Sequence, residues 1–436
     1  MKKITSNFEN KTYWVQSEVE NSPYDEMHQL SIYPNCTGQK IKGFGGAFTE
    51  AAGYCFKKLD EDKQNEFLQA YFGENGLRYN IGRTHMNSCD FSLGNYACAE
   101  SENDKFSMAR DHEYILPLIE KAQNVKGEKI ALLLSPWSPS AFMKTNGQMN
   151  KGGKLKPEYR KLWAEQIAKY IKGYSENGCN VCMVSVQNEP AAVQTWDSCV
   201  YSAREEAEFA TEFLRPELDK VGLENIGILI WDHNKERLLR RATESMSVSG
   251  AENAISGFAF HWYSGDHFEA LDLTGQLFFD KELWFTEGCV EYSRFGDSKG
   301  ADKAKMYAHD ILGNLAHGTC ANIDWNLLLD EKGGPNHVGN FCEAPIMLDG
   351  KGGFIINPSY YAIGHFSRYI KAGAVKLGSS IYDSRLESVV FQNPDGTKVA
   401  VILSRADKTL PLWVTLDGET GFKTEIEAGT LTTLIS

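Results

Sequence analysis

Short apolar runs alternate with helical patterns through most of this chain, and the apolar runs stop in a consistent way. Val181–Val186 breaks off at Gln187-Asn188-Glu189-Pro190. Leu283–Phe285 breaks off at Thr286-Glu287. Six further runs behave alike: Gly43–Thr49, Leu77–Met86 (which carries Arg83), Ile130–Leu134, Ile226–Ile230, Ile255–Phe260 and Ala321–Ile323. Each is a buried strand in pattern, and each ends in amides, carboxylates, His or Trp. Between them lie stretches with apolar residues at helical spacing. Pro157–Tyr174 is the clearest, with Leu162, Trp163, Ile167, Tyr170 and Ile171 on one face and Pro157 suited to a first turn. Asp60–Tyr71, Asp111–Ala122, Arg204–Leu218, Lys235–Ser245, Lys303–Leu315 and Tyr360–Ile370 are the others.

Eight apolar strands alternating with helices predict an α/β fold, a (β/α)8 TIM barrel over residues 41–372. An open doubly wound sheet would want a glycine-rich phosphate turn after its first strand. Gly43-Phe44-Gly45-Gly46 instead lies inside the first run. The rhythm differs at both ends. Residues 1–40 hold β-type segments such as Thr12-Tyr13-Trp14-Val15-Gln16. Residues 373–436 read as a helix-free antiparallel meander, with Leu386–Phe391, Val399–Leu403, Leu410–Thr415 and Leu431–Ile435 separated by turns at Asn393–Gly396 and Asp417-Gly418. The two ends are expected to pair into one side β domain, sandwich-like, beside the barrel.

Charge narrows the partners. The 436 residues carry a net charge of −13, so nothing supplies the positive surface a nucleic acid needs. No run approaches the roughly 18–20 apolar residues of a membrane span. The N-terminus has Lys2 and Lys3 but lacks the apolar stretch of about 7–15 residues that a secretory signal carries, which predicts a cytoplasmic protein. The ten cysteines read as free thiols. Cys179-x-x-Cys182 has no second pair to complete a zinc site, so neither metal nor other cofactor is expected.

In barrel enzymes the active site lies at the carboxyl ends of the strands. The residues there are Glu50, Asp90, Trp137, Asn188, Glu189, Asp232, His233, His261, Tyr263, Glu287, Asp324 and Trp325. This is a mouth for a polar ligand with flat faces, and a sugar fits it. Glu189 ends the fourth run and Glu287 the seventh, which face each other across a barrel. Two such carboxyls can flank a glycosidic bond as acid and nucleophile. Arg83, at the end of the second run, suits the role of holding Glu287 ionised. Alone, each of these residues has an ordinary explanation: a solvated strand-end glutamate, a core histidine, a turn. The pair of glutamates on this architecture favours catalysis.

The motifs together resemble glycoside hydrolase family 30, which contains glucosylceramidases, β-glucosidases, β-xylosidases and β-1,6-glucanases. The resemblance rests on Gly43–Thr49, Cys89–Ser92, Leu134–Pro139, Phe142–Gly147, Gln187–Pro190, His261–Tyr263, Phe285–Cys289, Asp324–Leu327, Gly333–Asn336 and Gly364–Ser367, in order along the chain. It implies a retaining β-glycosidase without metal or cofactor, acting on a β-linked glucoside or oligosaccharide. Glu189 would be the acid/base and Glu287 the nucleophile. Asp90, Trp137, Asn188 and Trp325 would bind the sugar, with His261 and Tyr263 lining the site and Asn340 at its rim. His337 and Gly339 stand where the lysosomal enzymes carry Trp and Arg. The expected activity is an exo-acting β-glucosidase of the glucosylceramidase type. β-1,6-Glucanase and β-xylosidase are the alternatives within the class, and a noncatalytic carbohydrate-binding barrel is the alternative outside it.

Overall fold

The computed structural model describes residues 1–416 and 420–436. Eight parallel strands close into a barrel: β1 (Gly43–Phe48), β2 (Ile81–Met86), β3 (Ala131–Pro136), β4 (Asn180–Ser185), β5 (Gly227–Asn234), β6 (Gly257–His261), β7 (Glu282–Glu287) and β8 (Thr319–Asn326). Each neighbours the next in sequence, and β8 closes on β1. Glycines make β1 and β2 fit. A Cβ on Gly45 would lie 1.9 Å from the Ile81 backbone oxygen, a group that cannot step aside.

Helices wrap the barrel where the periodicity places them, with displaced ends. Asp60 caps Glu61–Phe72 by accepting the Lys63 N–H. Ser202 and Glu205 form a capping box at the start of Ala203–Phe209. Two predicted helices contain π turns, Asp111–Ile115 and Ala210–Leu214, each passing into an α segment with a proline in its first two positions. A proline there has no N–H for the preceding turn, so the helix loosens rather than breaks. Helices Glu50–Phe56 and Phe268–Leu277 have no counterpart in the sequence reading.

The side domain is one nine-stranded sheet drawn from both ends of the chain. Its order is Thr12–Glu18, Lys2–Asn7, Thr430–Ile435, Lys398–Ser404, Leu386–Gln392, Val375–Ile381, Gln29–Lys40, Leu410–Val414 and Phe422–Ile426. The pairing is antiparallel except where Leu410–Val414 runs parallel to Gln29–Lys40, so the meander is interrupted. The turn expected at Asp417-Gly418 lies outside the described residues. One apolar cluster runs from the barrel into this sheet and includes Phe8, Val389, Phe391, Val401 and Leu431. A second, around Leu30, Leu377, Leu412 and Ile426, is the sheet's own core. His365, fully buried at the junction, bonds Ser6 and Thr433 at 2.8 Å each.

The barrel interior is layered with the two-residue period of a strand. Ile81, Leu133, Leu229, Ala259 and Trp284 form an apolar floor. Two residues further along sit Arg83, Ser135, His261 and Thr286, all fully buried. At β5 the register shifts between Trp231 and His233, so Asp232, not Trp231, enters the polar layer. Trp231 (φ 76°) and Asp232 (φ 44°) take left-handed backbone to make this bulge.

Candidate active site

The polar layer is built around Arg83. Its guanidinium donates to Glu287 at 2.6 Å, to Asp232 at 2.8 Å, to Asn188 Oδ1 at 2.8 Å and to Ser135 at 3.0 Å. Asp232 also accepts from Thr286 at 2.6 Å and Ser185 at 2.7 Å, and it contacts His261 at 3.1 Å. Burial would raise the Asp232 carboxyl. Arg83 and these hydrogen bonds overcome burial and hold it well below the usual carboxylate range. An ionised Asp232 and a guanidinium, both fully buried, therefore form the rigid base of the site.

Above this base opens a cavity of about 160 Å³. Asp90, Trp137, Asn188, Glu189, Tyr263, Glu287, Trp325 and Asn340 all line it. Trp137 and Trp325 stack at 5.4 Å and shield the guanidinium, whose Cζ lies 4.7 Å from the Trp137 ring. Because Arg83 takes Asn188 Oδ1, the amide N–H groups of Asn188 are left for a ligand. Asn336 and Asn340 donate to Asp90 Oδ2 at 3.2 and 3.1 Å, which leaves Oδ1 free. Burial, reinforced by Glu287, pushes Asp90 up to about 8.

The two glutamates differ in their surroundings. Glu287 accepts from Arg83 and, through its other oxygen, from the Tyr263 hydroxyl at 2.9 Å. Burial and the nearby charge of Glu189 push Glu287 above the ordinary glutamate value, opposed by His261, Arg83 and Tyr263. Glu189 follows β4 with left-handed backbone (φ 47°), and its N–H is tied to the Asp232 carbonyl at 3.0 Å. Its Oε1 faces His261 at 3.4 Å and His233 at 3.7 Å, and Gln194 donates to Oε2 at 3.3 Å. Charged imidazoles would pull Glu189 down against burial. Burial pushes His233 itself down, so it is neutral near pH 7 and its pull is lost. Burial also works against charge on His261, but Glu287, Asp232 and Glu189 outweigh it and raise His261 to about 9. One exchangeable proton thus belongs to Glu189 and His261 together.

Most residues singled out from sequence meet at this cavity; four of the strand-end group do not, among them Asp232, which is fully buried in the base below it. His261 was expected to line the site with the substrate-binding residues, but it is fully buried beneath the cavity, wedged between Asp232 and Glu189. Glu50 sits at a helix start, paired with Arg110 at 2.6 Å. Asp324 accepts from Tyr307 at 3.0 Å behind the wall. Gln194 and Trp196 line the cavity from the loop after β4, and Glu291 from the short strand Val290–Glu291, with no signal at the end of a barrel strand. Asp232 was visible as a strand-end acid, yet a two-residue period points Trp231 inward, and only the bulge reverses this. Among the described residues no group of His, Cys, Asp and Glu could hold a metal ion.

A barrel with two facing carboxyls, one clamped by arginine, beside stacked tryptophans defines a glycoside hydrolase. The chain belongs to glycoside hydrolase family 30 and is a β-glycosidase: the Glycosyl hydrolase family 30 TIM-barrel domain matches residues 41–370 and the family 30 beta sandwich domain matches residues 373–434. It is 33% identical over 422 residues to lysosomal acid glucosylceramidase of Mus musculus, covering 92% of this chain and 81% of that protein. It is 25% identical over 415 residues to an endo-1,6-beta-D-glucanase of Neurospora crassa, covering 89% and 83%. Among solved structures, SrfJ from Salmonella typhimurium superposes with a TM-score of 0.96 at 41% identity, covering 100% of this chain and 99% of that one. The endo-beta1,6-glucanase BT3312 shares the fold, with a TM-score of 0.91 at 24% identity over 100% and 99% of the two chains.

Proposed function

We propose that this chain is a retaining, exo-acting β-glucosidase that works by double displacement. The observation that carries the reading is the asymmetry of the two glutamates. Glu287 is clamped by Arg83, whose charge does not depend on pH, and by Tyr263. Glu189 faces an imidazole, which can exchange a proton with it, and an amide that donates a hydrogen bond to it. Burial and Glu189 raise Glu287, so the assignment rests on the contacts: the carboxyl held by a permanent cation is the nucleophile, and the one that shares its proton with His261 is the acid/base.

In the first step a Glu287 oxygen attacks the anomeric carbon while Glu189 protonates the departing oxygen, and the glycosidic C–O bond breaks. In the second, Glu189 takes a proton from water, which displaces Glu287 from the sugar. Asn188, with its amide N–H groups free, donates to the 2-hydroxyl, where hydrogen bonds strengthen in the transition state. Asp90 Oδ1 and Asn340, which line the cavity with Trp137 and Trp325, take hydroxyls of the ring. The cavity is well below the roughly 300–1,000 Å³ of sites for drug-sized ligands and suits one pyranose ring.

The likeness to a 1,6-glucanase across 89% of the chain supports a second reading, cleavage of β-1,6-linked glucose oligomers. A panel of nitrophenyl β-glucoside, β-xyloside and β-fucoside, with gentiobiose and pustulan, separates these. Proton NMR of the first product reports the anomer. Release of β-glucose supports the reading. No release from any member would leave a noncatalytic sugar-binding barrel.

A further inference from the structure

We propose that Gln194 is a positioning residue for Glu189: its side-chain amide holds Oε2 and fixes which carboxyl oxygen trades a proton with the leaving group. This rests on Glu189 being the acid/base. The contact is 3.3 Å, and it comes from outside the barrel, from the loop after β4. The opposite oxygen, Oε1, is the one that faces His261 and His233. Gln194 thus divides the carboxyl into a restrained oxygen and one served by imidazoles.

The loop that carries Gln194 is built to hold it still. The Gln194 N–H contacts Ser198 Oγ at 3.2 Å, and its carbonyl accepts the Lys151 N–H at 2.8 Å. Ser198 Oγ also accepts the Gly152 N–H at 2.9 Å. Asn150 bridges Asp197, and Val200 bonds the Gly153 carbonyl at 2.8 Å. Lys144, fully buried, fastens the two loops by donating to the carbonyls of Met149 and Ser198.

The charged and titratable groups around Glu189 are His233 from β5, His261 from β6, Glu287 from β7 and Glu291 beyond it, with Asp232 and Arg83 behind His261. A donor on Oε2 favours the carboxylate, so its removal raises the pKa of the acid. The acid limb of the pH profile belongs to Glu287, which Gln194 does not touch.

The test is the pH dependence of kcat/KM for Gln194→Met, nearly isosteric but unable to donate. An alkyl β-glucoside, which needs acid assistance, is compared with the dinitrophenyl β-glucoside, which does not. The alkaline limb for the alkyl glucoside should move up by about one pH unit, the scale of a hydrogen bond to a charged group. Gln194→Glu should move it further, and the acid limb should stay. Glu189→Gln is the control: it should slow the alkyl glucoside far more than the dinitrophenyl one. An alkaline limb that stays or moves down in Gln194→Met, with the control behaving as stated, overturns the role of Gln194. A control that slows both substrates alike overturns the acid/base assignment instead.

Discussion

Arg83 and Glu287 form an ion pair at 2.6 Å in which the arginine is fully buried and the glutamate is 7% exposed at the cavity wall. The same guanidinium holds Asp232. One cation thus sets the charge of both the wall and the base of the site, and removing it leaves Asp232 without a counter-charge in a fully buried layer and Glu287 without one at the cavity wall.

Arg83→Met should lower stability by about 3–5 kcal/mol at pH 7, the cost of leaving a buried charge unpaired. Urea unfolding measures it. The sign of the pH effect follows from Asp232, whose native pKa is depressed. Its stabilisation is present above the unfolded aspartate value and is lost as pH falls through the native one. The variant lacks that contribution, so its deficit should shrink on acidification. A deficit that is absent at pH 7, or that grows toward low pH, contradicts the pairing.

Asp90 behaves in the opposite way. Its native carboxyl is pushed up to about 8 from an ordinary 3.8, so between those values the folded protein keeps a proton that the unfolded chain has lost. Stability therefore falls as pH rises through this window, by up to about 1.4 kcal/mol per unit. Asp90→Asn can keep both bonds from Asn336 and Asn340, since both end on one oxygen. It should be more stable than the parent at pH 8, equal to it near pH 4, and have a raised KM. Parallel stability–pH curves for the two proteins would rule this out.

His365 at the junction of barrel and sheet is buried between two hydroxyls, and burial, the main cause, pushes it down to about 3 from 6.5. Here the unfolded chain binds the extra proton. Stability should be full above about pH 6.5 and fall by about 1.4 kcal/mol per unit below it, down to the native value. His365→Gln should remove that acid slope in thermal melts between pH 7 and 4. An unchanged slope would place the acid sensitivity elsewhere.

The barrel was legible because strands and helices differ in period and because the runs stop where a strand mouth begins. Glu189, Glu287 and Arg83 were legible for the same reason: each lies near a strand's carboxyl end, and topology alone sets β2, β4 and β7 around one mouth. His261 was misplaced because strand alternation gives a side chain's face but not its depth. Asp232 gained its role only through a bulge, which no periodicity announces. Gln194 was illegible because a loop residue reaches the site through its own fastenings, here Lys144 and Ser198. These involve residues far apart in sequence and carry no local pattern.

Double displacement requires Glu287 to form a bond to the sugar. A 2-fluoro β-glucoside with an activated leaving group slows the second displacement more than departure of the leaving group, so the glycosyl-enzyme accumulates. Peptide mass spectrometry of the inactivated protein should place one 2-fluoroglucosyl group on Glu287, with a stoichiometric burst of leaving group. A label on another residue, or steady turnover with no label on Glu287, would contradict the account.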